Sequence, residues 1–303
     1  MRERRERSVV SVSIGSKKRD VDERIDLLGT RVRLRRIGTN GDLSAARRLV
    51  SELDGNVDAI GLGGTDLYVR LGTRRYYIRD SVRIASAARS TPVVCGAGLK
   101  DSLERDAVAR LDERLRWAER RVLMVSSVDR FGMAKTISER GADVMFGDLV
   151  FGMGVNVPLR SIRSVRRIGR VVLPVVTRLP FKWFYPTGAA QDSTTTRPGL
   201  VKHYDWADVI AGDWHYIKRF APRDMSGKDV LTNTTTAADV EMLGRAGVRR
   251  LITTTPRVNG RSVGTNLLEA AIVAVVGAAG ELPKERYDQL IAEAGLGPTV
   301  VEL

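Results

Sequence analysis

Cysteine occurs once and histidine twice, and aromatic residues make up only 6% of the 303 residues. The lone Cys95 cannot close an intrachain disulfide. It follows the apolar run Pro92-Val93-Val94, so it reads as a small buried residue in a chain kept in a reducing cytosol. His203 and His215 show no HxxxH or related ligand spacing, and no metal is expected. The longest apolar run, 270–280, falls short of the roughly 20 residues a membrane span needs. The charged amino terminus also lacks the apolar stretch of a signal peptide, so a cytoplasmic location is expected. Missing too is the GxGxxG fingerprint of dinucleotide binding: the nearest matches, around Gly61 and Gly152, lack the third glycine.

Basic residues, by contrast, are in excess, with a net charge of +14. The excess is local: residues 1–50 hold 14 basic and 7 acidic residues, and residues 151–200 hold 8 and 1. No zinc-finger spacing, aromatic RNA-binding signature or helix-turn-helix accompanies it, which disfavours nucleic acid and favours small anionic ligands as the use of these charges.

With 43% hydrophobic residues there is apolar side chain enough for more than one core. Short β-branched runs alternate with helical patterns along the chain. Candidate strands are 8–14, 31–37, 57–62, a hairpin over 67–78, and 92–95, followed by a long helix over 99–120. Further strands are expected at 122–126, 143–146, 171–176, 208–211, 229–231 and 250–253. Helices are expected at 131–141, 159–169, 214–220, 236–246, 263–279 and 284–294. This rhythm implies an α/β fold of two Rossmann-like parallel-sheet lobes with helices on both faces. The expected division is a disordered basic arm over 1–7, an N-terminal lobe over 8–120 and a C-terminal Rossmann-like lobe over 121–303. A homo-oligomer is compatible with the sequence.

Ligands of open parallel sheets bind beyond the carboxyl ends of the strands, so the residues there are the candidates. Four strand ends of the first lobe carry glycine, near Gly15, Gly38, Gly61 and Gly96, and these predict a binding crevice. Lys100 beside Asp101, and His215 after Asp213, are candidates for moving a proton. In the second lobe, Ser126, Ser127, Asp129 and Gly132 occupy a strand-to-helix turn where a dinucleotide phosphate would sit. Asp148 follows 22 residues after Ser126, about the spacing of a ribose-binding acid. Asn233 and Thr234 end one strand, and Thr253, Thr254, Thr255, Arg257, Asn259 and Arg261 follow the next. Such hydroxyls and guanidinium groups suit a polyhydroxylated or anionic substrate. Residues 159–186 combine an arginine-rich helix with the aromatic loop LPFKWFYP, a pattern that would also serve peripheral contact with a membrane.

At VDAIGLGGTDLY, GDLVFG, LPFKWFYPTG, WADVIAGDWHYIKR and LTNTTT…TTTPRVNGRSVGTNLLEA the chain resembles a bacterial family labelled quinate 5-dehydrogenase, over nearly all of its length from residue 8. The resemblance implies oxidation of a ring hydroxyl of quinate or shikimate with NAD or NADP as cofactor. Lys100 does not stand in the lysine motif of shikimate and quinate dehydrogenases, and Val263-Gly264-Thr265-Asn266 lacks their following aspartate. The site residues above therefore rest on strand-end position alone. The leading expectation is an NAD(P)-dependent oxidoreductase acting on a hydroxylated carboxylic acid. The alternatives are a transferase or other enzyme binding a phosphorylated or nucleotide-like ligand between the lobes, and a non-enzymatic ligand-sensing or membrane-peripheral protein.

Overall fold

The computed structural model describes residues 6–180 and 198–303, so residues 1–5 of the basic arm and 181–186 of the aromatic loop lie outside the described residues. Two α/β lobes, each a mainly parallel sheet covered by helices on both faces, make up the fold.

The first sheet runs β2 (Val21–Leu27), β3 (Thr30–Gly38), β1 (Arg7–Ser13), β4 (Ala59–Gly63) and β7 (Val93–Val94). All its pairings are parallel except β2 with β3. Period two in β1 sends Val10 and Val12 to one face, under α1 (Leu43–Leu53) and α2 (Arg79–Ala85). Val9, Ser11 and Ser13 take the other. Strand β2 was not among the expected strands because its sequence, VDERIDL, is mostly charged. Charge suits a sheet edge, where it discourages pairing with another chain. The turn Leu28-Gly29, with positive φ at both residues, closes β2 onto β3. The hairpin β5 (Tyr68–Leu71) and β6 (Arg74–Tyr77) forms where expected.

Helix α3 (Ala97–Arg110) is followed by the short α4 (Asp112–Leu115), instead of one helix continuing to residue 120. Arg116 takes φ 49°, and Trp117 turns back to bury its ring, its indole N–H donating to the Val108 carbonyl at 2.9 Å. Burying an indole outweighs another turn of exposed helix.

The second sheet is ordered β15 (Thr299–Glu302), β12 (Arg250–Thr253), β11 (Asp229–Thr232), β10 (Val209–Ala211), β8 (Arg121–Met124) and β9 (Asp143–Phe146). Only β15 runs antiparallel. One face packs α5 (Phe131–Glu139) and α6 (Ile162–Val176), the other α7 (Pro198–Trp206), α8 (Trp214–Phe220) and α9 (Ala237–Arg245).

The strand expected at 171–176 is the end of α6. Val165, Gly169 and Leu173, spaced by four, are buried, and Gly169 lies so close to Leu71 that a Cβ there would fall 2.8 Å from its Cδ2. This tertiary contact overrides the β propensity of the valines. On the outer side Val171 and Val175 are exposed among Arg163, Arg167 and Arg170. No described helix is long and apolar enough to cross a membrane.

A small hairpin, β13 (Arg257–Val258) and β14 (Arg261–Ser262), leads into α10 (Thr265–Val276). Helices α10 and α11 (Lys284–Glu293), read from sequence as part of the second lobe, pack instead on the free face of the first sheet. Glu269 on α10 explains the attachment. Its carboxylate accepts from Gly96 N at 2.6 Å, Leu99 N at 3.0 Å and the Tyr287 hydroxyl at 2.7 Å. It thus caps α3 from another helix, at a position where Gly96 has no side chain to do so. The chain passes between the lobes three times: after α3, before α10 and before β15.

Strand-end glycines serve this packing. A Cβ on Gly61 would lie 2.7 Å from the Asn266 carbonyl oxygen, and one on Gly96, already at φ +90°, 2.8 Å from Asn266 N. These glycines admit the start of α10 more directly than any ligand. Gly61→Ala should therefore lower the unfolding free energy in urea by about 2 kcal/mol. Gly199→Ala, in α7 with open space around it, should leave it unchanged or slightly raised.

Candidate functional site

The carboxyl ends of β1 and β4 face those of β8 to β11 across one cleft with a cavity of about 340 Å³. The two lobes thus supply strand ends to a common space, as open parallel sheets do where they bind ligands.

One polar cluster centres on Arg130, which precedes α5 and has 1% of its side chain exposed. Its guanidinium pairs with Glu104 of α3 and donates to Asp213, ahead of α8, at 3.1 Å; the Asp129 carboxylate lies 3.7 Å away. Nearby, Lys100 Nζ donates to Asp66 at 2.7 Å. Burial opposes the charge on Lys100, but Asp66 and the other acids outweigh it and hold the ammonium above its ordinary range. Burial pushes Asp129 up to about 6, opposed by Arg130 and Lys100. Asp129 has 29% of its side chain exposed, against 2% for Glu104 and 8% for Asp213.

A second cluster gathers arginines from three segments. Arg36 of β3 donates to Ser13 Oγ at 2.9 Å and to Asp20 at 2.7 Å. Arg19 reaches across the lobes, Nη1 lying 2.7 Å from His215 Nε2 and Nη2 3.4 Å from the Thr234 carbonyl. Burial, with Arg19 nearby, brings His215 down to about 4, so the ring is neutral at pH 7 and Nε2 accepts from Arg19. Arg261 of β14 donates to the Arg19 carbonyl at 2.9 Å. Asn266 stands at the start of α10, its amide donating to Ser11 Oγ at 2.6 Å.

Of the residues expected from sequence, Lys100, His215, Ser126, Asp129, Asp148, Asn233, Thr234 and Arg261 line this cleft. The others do not. Asp101 pairs with Arg105 on its own helix. Thr253 and Thr255 are buried, each giving its hydroxyl to a backbone carbonyl. Thr254 is buried as well, and Arg257 is spent on Thr235 and Gly260 within its hairpin. Asn259 occupies the hairpin turn at φ 48°. The threonine-rich strand end is thus largely internal architecture. Ser13, Arg19, Arg36, Asp66, Arg130 and Asn266 line the cleft without having been singled out, and Asp213, noted beside His215, lines it too. Their common signal was weak: polar residues at or near strand ends, on segments whose meeting depends on the fold.

The turn expected to hold a dinucleotide phosphate does not fit one. The amides of Ser127 and Val128 both donate to Asp148 Oδ1 at 2.9 Å, and the Ser127 hydroxyl bonds the same carboxylate. Gly132 lies against Asp101, whose carboxylate occupies the place a Cβ would take. Two of the protein's own carboxylates thus meet the start of α5 where a phosphate would need to approach, and would repel it. Among the described residues no group of three or more His, Cys, Asp or Glu side chains is placed to hold a metal ion.

The model of a domain of unknown function, DUF8754, matches residues 98–303, and that of a second, DUF8753, matches residues 8–95. No curated protein matches the chain. Among solved structures, the chain is similar to an ABC transporter solute-binding protein from Burkholderia graminis in complex with D-arabinose. The two are 11% identical over 100% of this chain and 97% of that one, with a TM-score of 0.39. It is also similar to a solute-binding protein from Burkholderia multivorans (13% identity, 98% and 99% covered, TM-score 0.41). A third is the substrate-binding protein of a sugar ABC transport system from Bordetella parapertussis (12%, 99% and 90%, TM-score 0.42).

The expected kinship with quinate 5-dehydrogenases is therefore corrected. The matching family models are domains of unknown function and not that family, and the turn assigned to NAD(P) is closed by Asp148. The NAD(P)-dependent oxidoreductase reading falls with it.

Arg130 is the buried cation on which the cleft is assembled. Arg130→Gln would leave Glu104 and Asp213 buried without their counter-ion, and should lower stability by about 3–5 kcal/mol in chemical denaturation. An unchanged denaturation midpoint would show that the ion cluster does not hold the lobes.

Proposed function

We propose a function for a chain that belongs to the DUF8754 family: it binds a small polyhydroxylated molecule in the cleft between its lobes, as a ligand-binding protein rather than a dehydrogenase. The observation that carries this reading is the composition of the cleft wall. Five cationic and five acidic side chains line it among the described residues, together with Ser11, Ser13, Asn233 and Asn266. A hydroxyl donates one hydrogen bond and accepts up to two, so a polyol is satisfied by a wall that mixes carboxylates with cationic and amide donors. Val69, Val128 and Leu179, each partly exposed, add apolar surface for the carbon face of such a molecule. The cavity volume suits a small molecule and not a folded partner. Three chain passages join the lobes, and a ligand contacted from both sides of the cleft can draw them together.

Thermal unfolding of the purified chain against neutral sugars, cyclic polyols and sugar acids tests the proposal. A true ligand at a hundredfold excess over its Kd should stabilise the protein by about 2.7 kcal/mol. Absence of saturable stabilisation by every class at millimolar concentration would end the proposal. Asp129 adds a pH signature. Its carboxyl is raised to about 6 in the folded protein, so the protein holds this proton over a range where the unfolded chain has lost it. Its contribution to stability therefore falls as pH rises from about 4 to 6. A ligand hydroxyl donating to Asp129 needs the ionised carboxylate. Affinity measured by calorimetry should thus rise between pH 5 and 7, and the rise should vanish in Asp129→Asn.

A further inference from the structure

The arginine cluster asks for more than a neutral polyol. Arg19, Arg36 and Arg261 come from a turn after β1, from β3 and from β14, and all three line the cleft. Arg36 alone has a close carboxylate partner, Asp20 at 2.7 Å. Asp239 stands 3.9 Å from Arg19 but is bonded to Lys218 at 3.0 Å, and Glu23 lines the cleft without an ion pair to any of the three. Among the described residues Arg261 donates to a backbone carbonyl and to no carboxylate. Burial first, and then the nearby Arg19 and Arg261, bring Arg36 down to about 10 against the pull of Asp20. A set of like charges gathered from distant segments costs stability unless something anionic is to be held there.

We propose that Arg19, Arg36 and Arg261 form an oxyanion subsite of the cleft, which takes a phosphate monoester carried by the polyhydroxylated ligand. The charge balance selects the class. Arg19, Arg36, Arg261 and Lys218 outnumber Asp20, Glu23 and Asp239, so the subsite is net positive. Its several guanidinium forks match the three terminal oxygens of a phosphate monoester better than the two of a carboxylate. Forked guanidinium donors, reaching it from both lobes, suit its three terminal oxygens. Because Arg19 touches His215 and Thr234 while Arg261 touches Arg19, an oxyanion here also bridges the lobes. The subsite rests on the cleft reading above and specifies one end of the ligand.

Calorimetry and thermal unfolding with matched probes test it: ribose, ribose 5-phosphate, gluconate and inorganic phosphate, each on the wild type, Arg261→Gln and Arg261→Lys. The subsite predicts that ribose 5-phosphate binds at least roughly tenfold tighter than ribose and more tightly than gluconate. Inorganic phosphate should compete with it. Arg261→Gln should lower the ratio of ribose 5-phosphate to ribose affinity to near one while leaving the urea midpoint unchanged, and Arg261→Lys should restore part of that ratio. Equal binding of ribose and ribose 5-phosphate would overturn the subsite and leave the cleft reading standing. Tighter gluconate than ribose 5-phosphate would replace the dianion by a carboxylate and overturn it too. Phosphate binding that Arg261→Gln does not weaken would place the anion elsewhere and overturn the assignment. Binding of none of the four would count against both the subsite and the cleft reading.

Discussion

A fully buried arginine between two carboxylates sets the geometry of this molecule. Arg130 belongs to the second lobe by its place before α5, yet it pairs with Glu104 of α3, the helix that links the lobes, and with Asp213 at the end of β10. Removing three charges from water is costly, and only close mutual pairing offsets that cost. The arrangement therefore admits little variation in how α3, α5 and the start of α8 sit together. Those elements hold Lys100, Asp129 and His215, and so the floor of the cleft follows from this one cluster.

Around that floor the cleft is built by exclusion as much as by attraction. The start of α10 enters so close to β4 and β7 that only glycine at positions 61 and 96 leaves room. The same entry delivers Asn266 to Ser11 and, just before it, Arg261 to the Arg19 segment. The start of α5 is met by Asp148 and Asp101, which turns a likely-looking phosphate turn in sequence into a self-satisfied one. Anion capacity is moved to the arginines of β3, β14 and the turn after β1. The wall is balanced in total charge but unevenly distributed, with acids around Lys100 and Arg130 and guanidinium groups around Ser13. Such unevenness orients a ligand as well as holding it.

Much of the architecture was legible in the chain. Alternating short apolar strands and helices pointed to two parallel-sheet lobes, and the strand ends do line the cleft between them. Asn233, Thr234, Lys100, Asp129 and Arg261 were found there because position at a strand end is a local property. The errors had a common cause, since each involved a partner distant in sequence. The valines of 171–176 read as a strand because the contact that packs their helix, Gly169 on Leu71, is made with a residue about a hundred positions away. The threonines of 253–255 read as ligand contacts because the carbonyl groups and close packing that occupy them cannot be inferred from neighbouring residues. Asp148 read as a ribose ligand because its spacing from Ser126 was right, while the fact that it folds back onto Ser127 and Val128 is a matter of three dimensions.

Local composition and periodicity by themselves determined the fold class, most of the strands and the end of each sheet where chemistry belongs, because backbone propensity and side-chain alternation act over a few residues. Only the tertiary structure decided which polar groups remain available to a ligand and which are consumed within the protein. That choice depends on desolvation and pairing between segments far apart in sequence, 242 residues between Arg19 and Arg261 and 255 between Ser11 and Asn266, and no short window contains both partners.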